Sequence, residues 1–421
     1  MRPLPTHLLP DSAEVVDGVL HIGGCNVLDL ATEFGTPAFF YDEEQLRDRC
    51  REAVAAFGPG VAYATKAFLC AAMAKLAHEE GMHLDVATGG ELHVALAAGV
   101  PADRLVLHGN NKSPAELRMG IEAGVHRIVV DSFDELDRLD QIHAETGLTP
   151  KVLLRLTPGI KAETHDYIST GQDDSKFGFG VSSGAAERAI DRARSAVSVD
   201  LVGIHAHIGS QVFAVGSLGR AAGAIGEIAR GHEFEELSVG GGLGVPYVED
   251  ERAPTITEWG RVVREACAEA GVNARITAEP GRSIVAAAAI TVYTVGTIKD
   301  LPGIRTYVAV DGGMSDNPRP VLYGSGYETF LPRAVGADRT KPVTVVGKHC
   351  ESGDLLVRDG LVPPDIAVGD VLATPVTGAY GHSMGSNYNM VLRPPVVFGG
   401  HGEARLVVRR QTFDDLTRFD T

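Results

Sequence analysis

Eight short β-prone runs, most of them trailed by a helix-prone stretch, dominate the first two thirds of this 421-residue chain. They are VAYATK (61–66), HLDVAT (83–88), RLVLHG (104–109), RIVVDS (127–132), KVLLRLT (151–157), LVGIHAHIG (201–209), ELSVGGG (236–242) and RITAEPG (275–281). Stretches such as AAMAKLAHEE and GELHVALAAG lie between them. Eight strand–helix units over about 220 residues predict an α/β fold, a (β/α)8 TIM barrel with parallel strands inside a ring of helices. An open doubly wound sheet is the alternative. Against it, no glycine-rich dinucleotide turn follows the first run.

The pattern changes after about residue 282. ITVYTVGTIKDL, RTYVAV, PVTVVGKHC, VLATPVTGA and RLVVRR are β-rich with little helix between them. They predict a second, C-terminal all-β domain, sandwich- or barrel-like. The first 30 or so residues, including GVLHIGG, are also β-prone and lie outside the barrel repeat. They are expected to join the same sheet domain, because chain termini often lie close together. The expected division is a barrel over residues 31–282 and a β-domain from 1–30 and 283–421.

Composition narrows the partners. Hydrophobic residues make up 44% and charged residues 22%, as in ordinary soluble globular proteins. The net charge of −17 argues against nucleic acid and anionic membranes, which attract basic surfaces. No apolar run approaches the roughly 20 residues of a spanning helix. The opening MRPLPTHLLPDSAEVVDG has no long apolar core and does not read as a signal peptide. The five cysteines are scattered, odd in number and without metal-type spacing, which suits free thiols in a reducing cytoplasm.

In such barrels the chemistry sits at the carboxyl ends of the strands. Those ends carry Lys66, Asp85, His108, His207, Gly240, Gly241, Gly242, Glu279 and Arg282. In SVGGGLG, three bare glycines let backbone N–H groups approach an anion closely. HIGSQ adds the Ser210 hydroxyl beside Gly209. Alone, the glycines could be a flexible turn, and the Glu279–Arg282 spacing an exposed ion pair. On one rim, a lysine, a phosphate cradle, a carboxylate for a protonated ring nitrogen and a histidine plane together describe a pyridoxal phosphate site.

The motifs YATKAF, HIGSQ, GGGLG, EPGR, CESGD (350–354) and GAYGHSMGSNYN (378–389) occur in that order, with HGNNKS (108–113) and DSKFG (174–178) between. In this the chain resembles the diaminopimelate decarboxylases, within the pyridoxal-phosphate decarboxylases that share a barrel and a β-domain. The resemblance spans roughly residues 15 to 415. It implies pyridoxal 5′-phosphate as cofactor, joined to Lys66. It implies that His207 stacks on the cofactor ring and that Ser210, Gly240, Gly241, Gly242 and Tyr380 hold the phosphate. Glu279 would pair with the ring nitrogen, and Asp85 would help set Lys66. Arg282, Arg319, Tyr323, Tyr380 and Glu351 would contact an amino-acid substrate. Cys350 is the candidate proton donor, since a thiol has a tunable pKa. Cys350 and Glu351 would come from the neighbouring subunit of a homodimer. Phe68 stands where many relatives have asparagine, and His382 and Gly385 are also less usual.

Other functions fit less of the chain. His205 and His207 share one strand face and could begin a metal site, but no further histidine or carboxylate cluster is evident in the sequence. A non-catalytic cofactor-binding protein would not need Cys350, Glu351 and Arg319. A decarboxylase of ornithine, arginine, carboxynorspermidine or a secondary-metabolism substrate shares the layout. Arg319 and Glu351 favour meso-2,6-diaminopimelate, whose far end carries both a carboxylate and an ammonium. The implied reaction yields L-lysine and CO2.

Overall fold

The computed structural model describes residues 3–159, 174–207 and 209–421. The chain forms two compact units. One is Arg49–Gly244 with Ala253–Ser283; the other is the chain up to Asp48, Val245–Arg252, and Ile284 onward.

The first unit is the expected barrel. Its strands are Ala62–Ala64, His83–Val86, Leu105–Leu107, Arg127–Val130, Lys151–Thr157, Asp200–Ala206, Glu236–Ser238 and Arg275–Thr277. They are hydrogen-bonded in that order, each parallel to the next. Ala62 N–H donates to Ala278 O (2.9 Å) and Ala64 N–H to Pro280 O (3.0 Å), which joins the last strand back to the first. These two bonds nearly close the barrel, and the short strand Phe179–Gly180 adds in parallel to the end of Lys151–Thr157. Ala62, Val106, Val129, Leu153 and Val202, from five strands, pack into one buried apolar group.

Local chemistry sets the helix ends. Ser113 and Glu116 form a capping box at the start of Pro114–Ala123, with proline in the first turn and left-handed Gly124 after the last. Thr255 and Glu258 do the same for Ile256–Glu269, whose Ile256, Trp259, Gly260, Val263 and Cys267 form a buried stripe at helical spacing.

The HGNNKS motif is structural in part. Lys112 is 2% exposed and donates to Gly109 O (2.6 Å) and Val129 O (2.8 Å), with Glu135 at 2.8 Å. A buried ammonium is tolerated because both charge and hydrogen bonds are matched. It ties the third strand's end to the fourth strand and the following helix.

The second unit is sheet-rich. Its main sheet runs Leu355–Val362, Lys341–Val346, Arg305–Val310, Ala289–Leu301, Ala38–Asp42, Val396–Gly400, Glu403–Val408, and Val371–Pro375 pairs with Ala289–Leu301. Ala38–Asp42 was expected in the barrel. It instead pairs antiparallel with Ala289–Val292 and parallel with Val396–Gly399, so residues 31–48 belong with the sheets. The N-terminal strands Glu14–Val16, Val19–Ile22 and Cys25–Asn26 lie in this unit but form a separate three-stranded sheet.

Candidate active site

Most barrel strands end earlier than their β-prone runs, and most of the polar rim residues sit just beyond, although Asp85 lies within its strand. The first strand stops at Ala64, and one 3-10 turn, Thr65–Ala67, carries Lys66. Lys66 is exposed, while Thr65, Ala67 and Phe68 are buried around it. Thr65 Oγ1 donates to Asp85 O (2.8 Å), and Tyr63 Oη donates to Phe68 O (2.6 Å). Both bonds fix the backbone beside Lys66. Ala64 pairs in register with Asp85, which brings that carboxylate's strand position next to the lysine turn. Phe68 is fully buried, so this departure from many relatives is a core side chain.

Glu279 is the electrostatic centre of the rim. Its Oε2 lies 2.9 Å from His205 Nε2, and its Oε1 accepts from Ser238 Oγ (2.8 Å) and lies 3.3 Å from His108 Nε2. His108 Nε2 is also 3.7 Å from Asp85 Oδ1. Burial alone would raise the Glu279 carboxyl, but the imidazoles of His205 and His108 outweigh it and hold it well below the usual carboxylate range. Burial pushes His108 down, yet Asp85 and Glu279 reverse this and raise it. His205 is lowered by burial. The result is a buried carboxylate kept ionised by donors. A carboxylate offers about four lone-pair directions, so one more donor, such as a protonated ring nitrogen, can be accepted.

The glycine loop and His207 interlock. Gly241 N–H donates to His207 Nδ1 (3.0 Å), which leaves the proton of the neutral ring on Nε2. Burial, then Lys66 and Arg155, hold this imidazole well below its ordinary value. The ring is therefore a fixed, neutral aromatic plane. Gly240 (φ +66°) has no room for a side chain: a Cβ would lie 2.5 Å from Ala206 O and 2.8 Å from His207 Nδ1. Gly242 (φ +122°) also needs glycine's freedom. Arg282, 8% exposed, donates from Nη2 to Ser210 Oγ (3.0 Å). Thus Ser210 and Arg282 meet, as do Gly241 and His207; Ile208 of HIGSQ lies outside the described residues. An amine, a bare-backbone anion cradle with a nearby guanidinium, a neutral ring plane and an ionised acceptor fit a phosphate-bearing pyridine aldehyde.

Arg319, Tyr323, Tyr380, Cys350 and Glu351 lie in the sheet-rich unit. Arg319 begins a short helix, Arg319–Tyr323, and is 5% exposed. Its guanidinium carbon sits 3.9 Å from the centre of the Tyr247 ring, and Nη1 donates to Tyr327 Oη (2.5 Å). Tyr380 contributes to the same surroundings and has a left-handed backbone (φ +61°), rare for an aromatic residue. Neighbouring acids could have neutralised Arg319. Instead, Asp311 accepts from Thr36 Oγ1 (2.6 Å) and Thr294 N–H (2.8 Å), and Asp316 from Gly313 N–H (2.8 Å). Among the described residues, no carboxylate forms an ion pair with Arg319. Cys350 and Glu351 are exposed at a loop tip. His382 packs edge-on to Phe39 (5.9 Å), and Gly385 sits close to Ser315 O, where a Cβ would be at 3.0 Å.

The sequence did not single out His108, His205, Ser238, Tyr247 and Tyr327 in these roles. His205 had a signal, its two-residue spacing from His207. The expectation that no further cluster joins His205 is corrected: ligand atoms of His108, His205 and Glu279 lie within 4.8 Å of one another. The third strand's end and the eighth strand's end bring them there. Both Nε2 atoms face the Glu279 carboxylate, so the group is organised around that anion.

Residues 43–286 match the family described as "Pyridoxal-dependent decarboxylase, pyridoxal binding domain". The chain is 46% identical to the diaminopimelate decarboxylase of Bacillus subtilis, over 96% of this chain and 95% of that one. It is 47% identical to that of Mycobacterium tuberculosis H37Rv, over 95% and 94%. The crystal structure of the M. jannaschii diaminopimelate decarboxylase in complex with L-lysine is similar in fold, with a TM-score of 0.92, 34% identity and 98% of each chain covered.

Proposed function

The chain belongs to the diaminopimelate decarboxylases, among the pyridoxal-dependent decarboxylases, and we propose that it converts meso-2,6-diaminopimelate to L-lysine and CO2. Pyridoxal 5′-phosphate, when bound, supplies an electron sink for the pair left as CO2 departs. Lys66 offers the amine that holds the cofactor aldehyde. Gly240, Gly241, Gly242 and Ser210 receive the phosphate. His207 provides the neutral ring plane, and ionised Glu279 accepts the ring N–H. Asp85 helps set Lys66 and, beside His108, favours the imidazolium form of that ring. Arg282, Arg319, Tyr323, Tyr380 and Glu351 bind the amino acid. The Cys350 thiol delivers a proton to the substrate carbon.

One observation carries the substrate: Arg319 is a buried cation without a carboxylate partner among the described residues. Burying an unpaired charge is costly unless a ligand completes it. The far carboxylate of diaminopimelate does so, and Glu351 suits its far ammonium. An ornithine ammonium would instead be repelled. Arg319→Ala should lower kcat/KM for meso-diaminopimelate at least about tenfold, the loss of a charge-assisted contact. Unchanged kinetics would remove the substrate assignment and leave the cofactor chemistry standing.

Cys350 and Glu351 are proposed to act in the neighbouring subunit of a homodimer; their exposure in a single chain supports this. All five cysteines are free, which suits a cytoplasmic setting. Among the described residues, no helix is long and apolar enough to cross a membrane.

A further inference from the structure

Three segments far apart in sequence meet at the Cys350 loop. The base of that loop is tightly held. Gly347 N–H donates to Asp354 O (3.1 Å), and Lys348 N–H to Gly312 O (2.9 Å). The Asp354 carboxylate accepts from His349 N–H (2.9 Å) and Met314 N–H (2.7 Å). The tip, Cys350 to Gly353, is exposed.

The Cys350 peptide N–H leaves the loop altogether: it donates to Asn389 Oδ1 (3.1 Å). The same oxygen lies 3.3 Å from His349 Nδ1. His349, buried, has its other nitrogen 2.9 Å from Ser315 Oγ. An amide oxygen only accepts, so the His349 Nδ1–H donates to it. Asn389 thereby grips both the residue before the thiol and the thiol residue's own backbone. It does so from a left-handed backbone position (φ +52°, ψ +25°), which asparagine tolerates better than most residues.

We infer that Asn389 is a positioning residue that fixes the direction of the Cys350 thiol. The inference rests on Cys350 as proton donor. Proton transfer to carbon demands close placement, and a displacement of about 1 Å can cost up to a hundredfold. A loop tip held at its base alone would leave Cys350 to swing. The Asn389 bonds remove that freedom.

Asn389→Gly keeps the left-handed backbone without strain and deletes the acceptor. Asn389→Asp keeps an acceptor at the same place. In the holoenzyme, Asn389→Gly should lower kcat for meso-diaminopimelate about tenfold, and Asn389→Asp should recover most of it. In a Cys350→Ala background, Asn389→Gly should cause no further fall in kcat, because both act on one step. A second readout needs no turnover: iodoacetamide labelling of Cys350, followed by mass spectrometry. The other four cysteines are buried, and the mass of the Cys350 peptide reads its labelling by itself. Its labelling rate should change at least about threefold in Asn389→Gly and return in Asn389→Asp. Should Asn389→Gly fail to fold, Asn389→Ser takes its place. Unchanged labelling, or an undiminished kcat loss in the Cys350→Ala background, overturns the inference. Full activity of Cys350→Ala alone overturns the proton-donor assignment instead, and the labelling result then judges the placement by itself.

Discussion

Glu279 and His205 are joined across the barrel rim, Oε2 to Nε2 at 2.9 Å, with Ser238 holding the other carboxylate oxygen at 2.8 Å. The pairing keeps an ionised carboxylate in a buried place, where it would otherwise tend to take up a proton. Glu279→Gln preserves size but removes the charge. It should lower kcat/KM by at least about ten- to a hundredfold, the worth of a charge-assisted hydrogen bond. Steady-state CO2 release, with circular dichroism confirming the fold, checks this. A loss under about threefold would contradict the role given to Glu279.

The proposed sharing of sites between subunits makes a complementation test possible. Lys66→Ala and Cys350→Ala should each be nearly inactive alone, by at least about a hundredfold. Mixed under conditions that exchange subunits, they should regain activity, because a hybrid dimer can hold one site with both wild-type groups. Native mass spectrometry verifies the hybrid. Proven exchange without recovery would place Cys350 in its own subunit's site or outside any site.

Acid should weaken the barrel through two histidines remote from the chemistry. His83 and His126 pack edge-on, 4.5 Å apart, at the starts of their strands. Burial, then His126 and Arg104, lowers His83 to about 3; burial, then Arg127 and Arg275, lowers His126 to about 4. Above about pH 6.5 folded and unfolded chains are both neutral here, and the contribution is fully present. As pH falls toward 4, the unfolded chain binds protons that the fold refuses, and stability drops by up to about 1.4 kcal/mol per pH unit per histidine. His108, raised in the fold, has the opposite sign. The difference between His126→Gln and wild type therefore isolates the effect. Urea midpoints at pH 7.5 and 5 should fall less for the variant; equal falls would contradict it.

Much of this was written locally. The eight parallel strands were legible because each apolar run is short and ends in a polar or glycine-rich turn. Their ends were overestimated: YATK and VGGG look β-prone, yet the strands stop at Ala64 and Ser238, and the reactive groups lie in the turns beyond. Leu355–Val362 was missed because Arg358 and Asp359 break its apolar run. Ala38–Asp42 is a strand by any local measure, but its partner strand begins some 250 residues later at Ala289. The surroundings of Arg319 were hidden for the same reason. Tyr247 and Tyr327 become its neighbours only through the fold. The Glu279 cluster draws on the third, sixth, seventh and eighth strands, and no spacing in the sequence encodes that meeting.

Substrate choice is measured by CO2 release by the pyridoxal-phosphate-loaded enzyme from meso-diaminopimelate, L-lysine, L-ornithine and L-arginine in parallel, with the amino-acid product identified by chromatography. L-lysine is expected from meso-diaminopimelate, with kcat/KM at least about a hundredfold above the three monocarboxylates, because only the dicarboxylate completes Arg319. Comparable or faster turnover of ornithine, arginine or lysine would contradict it.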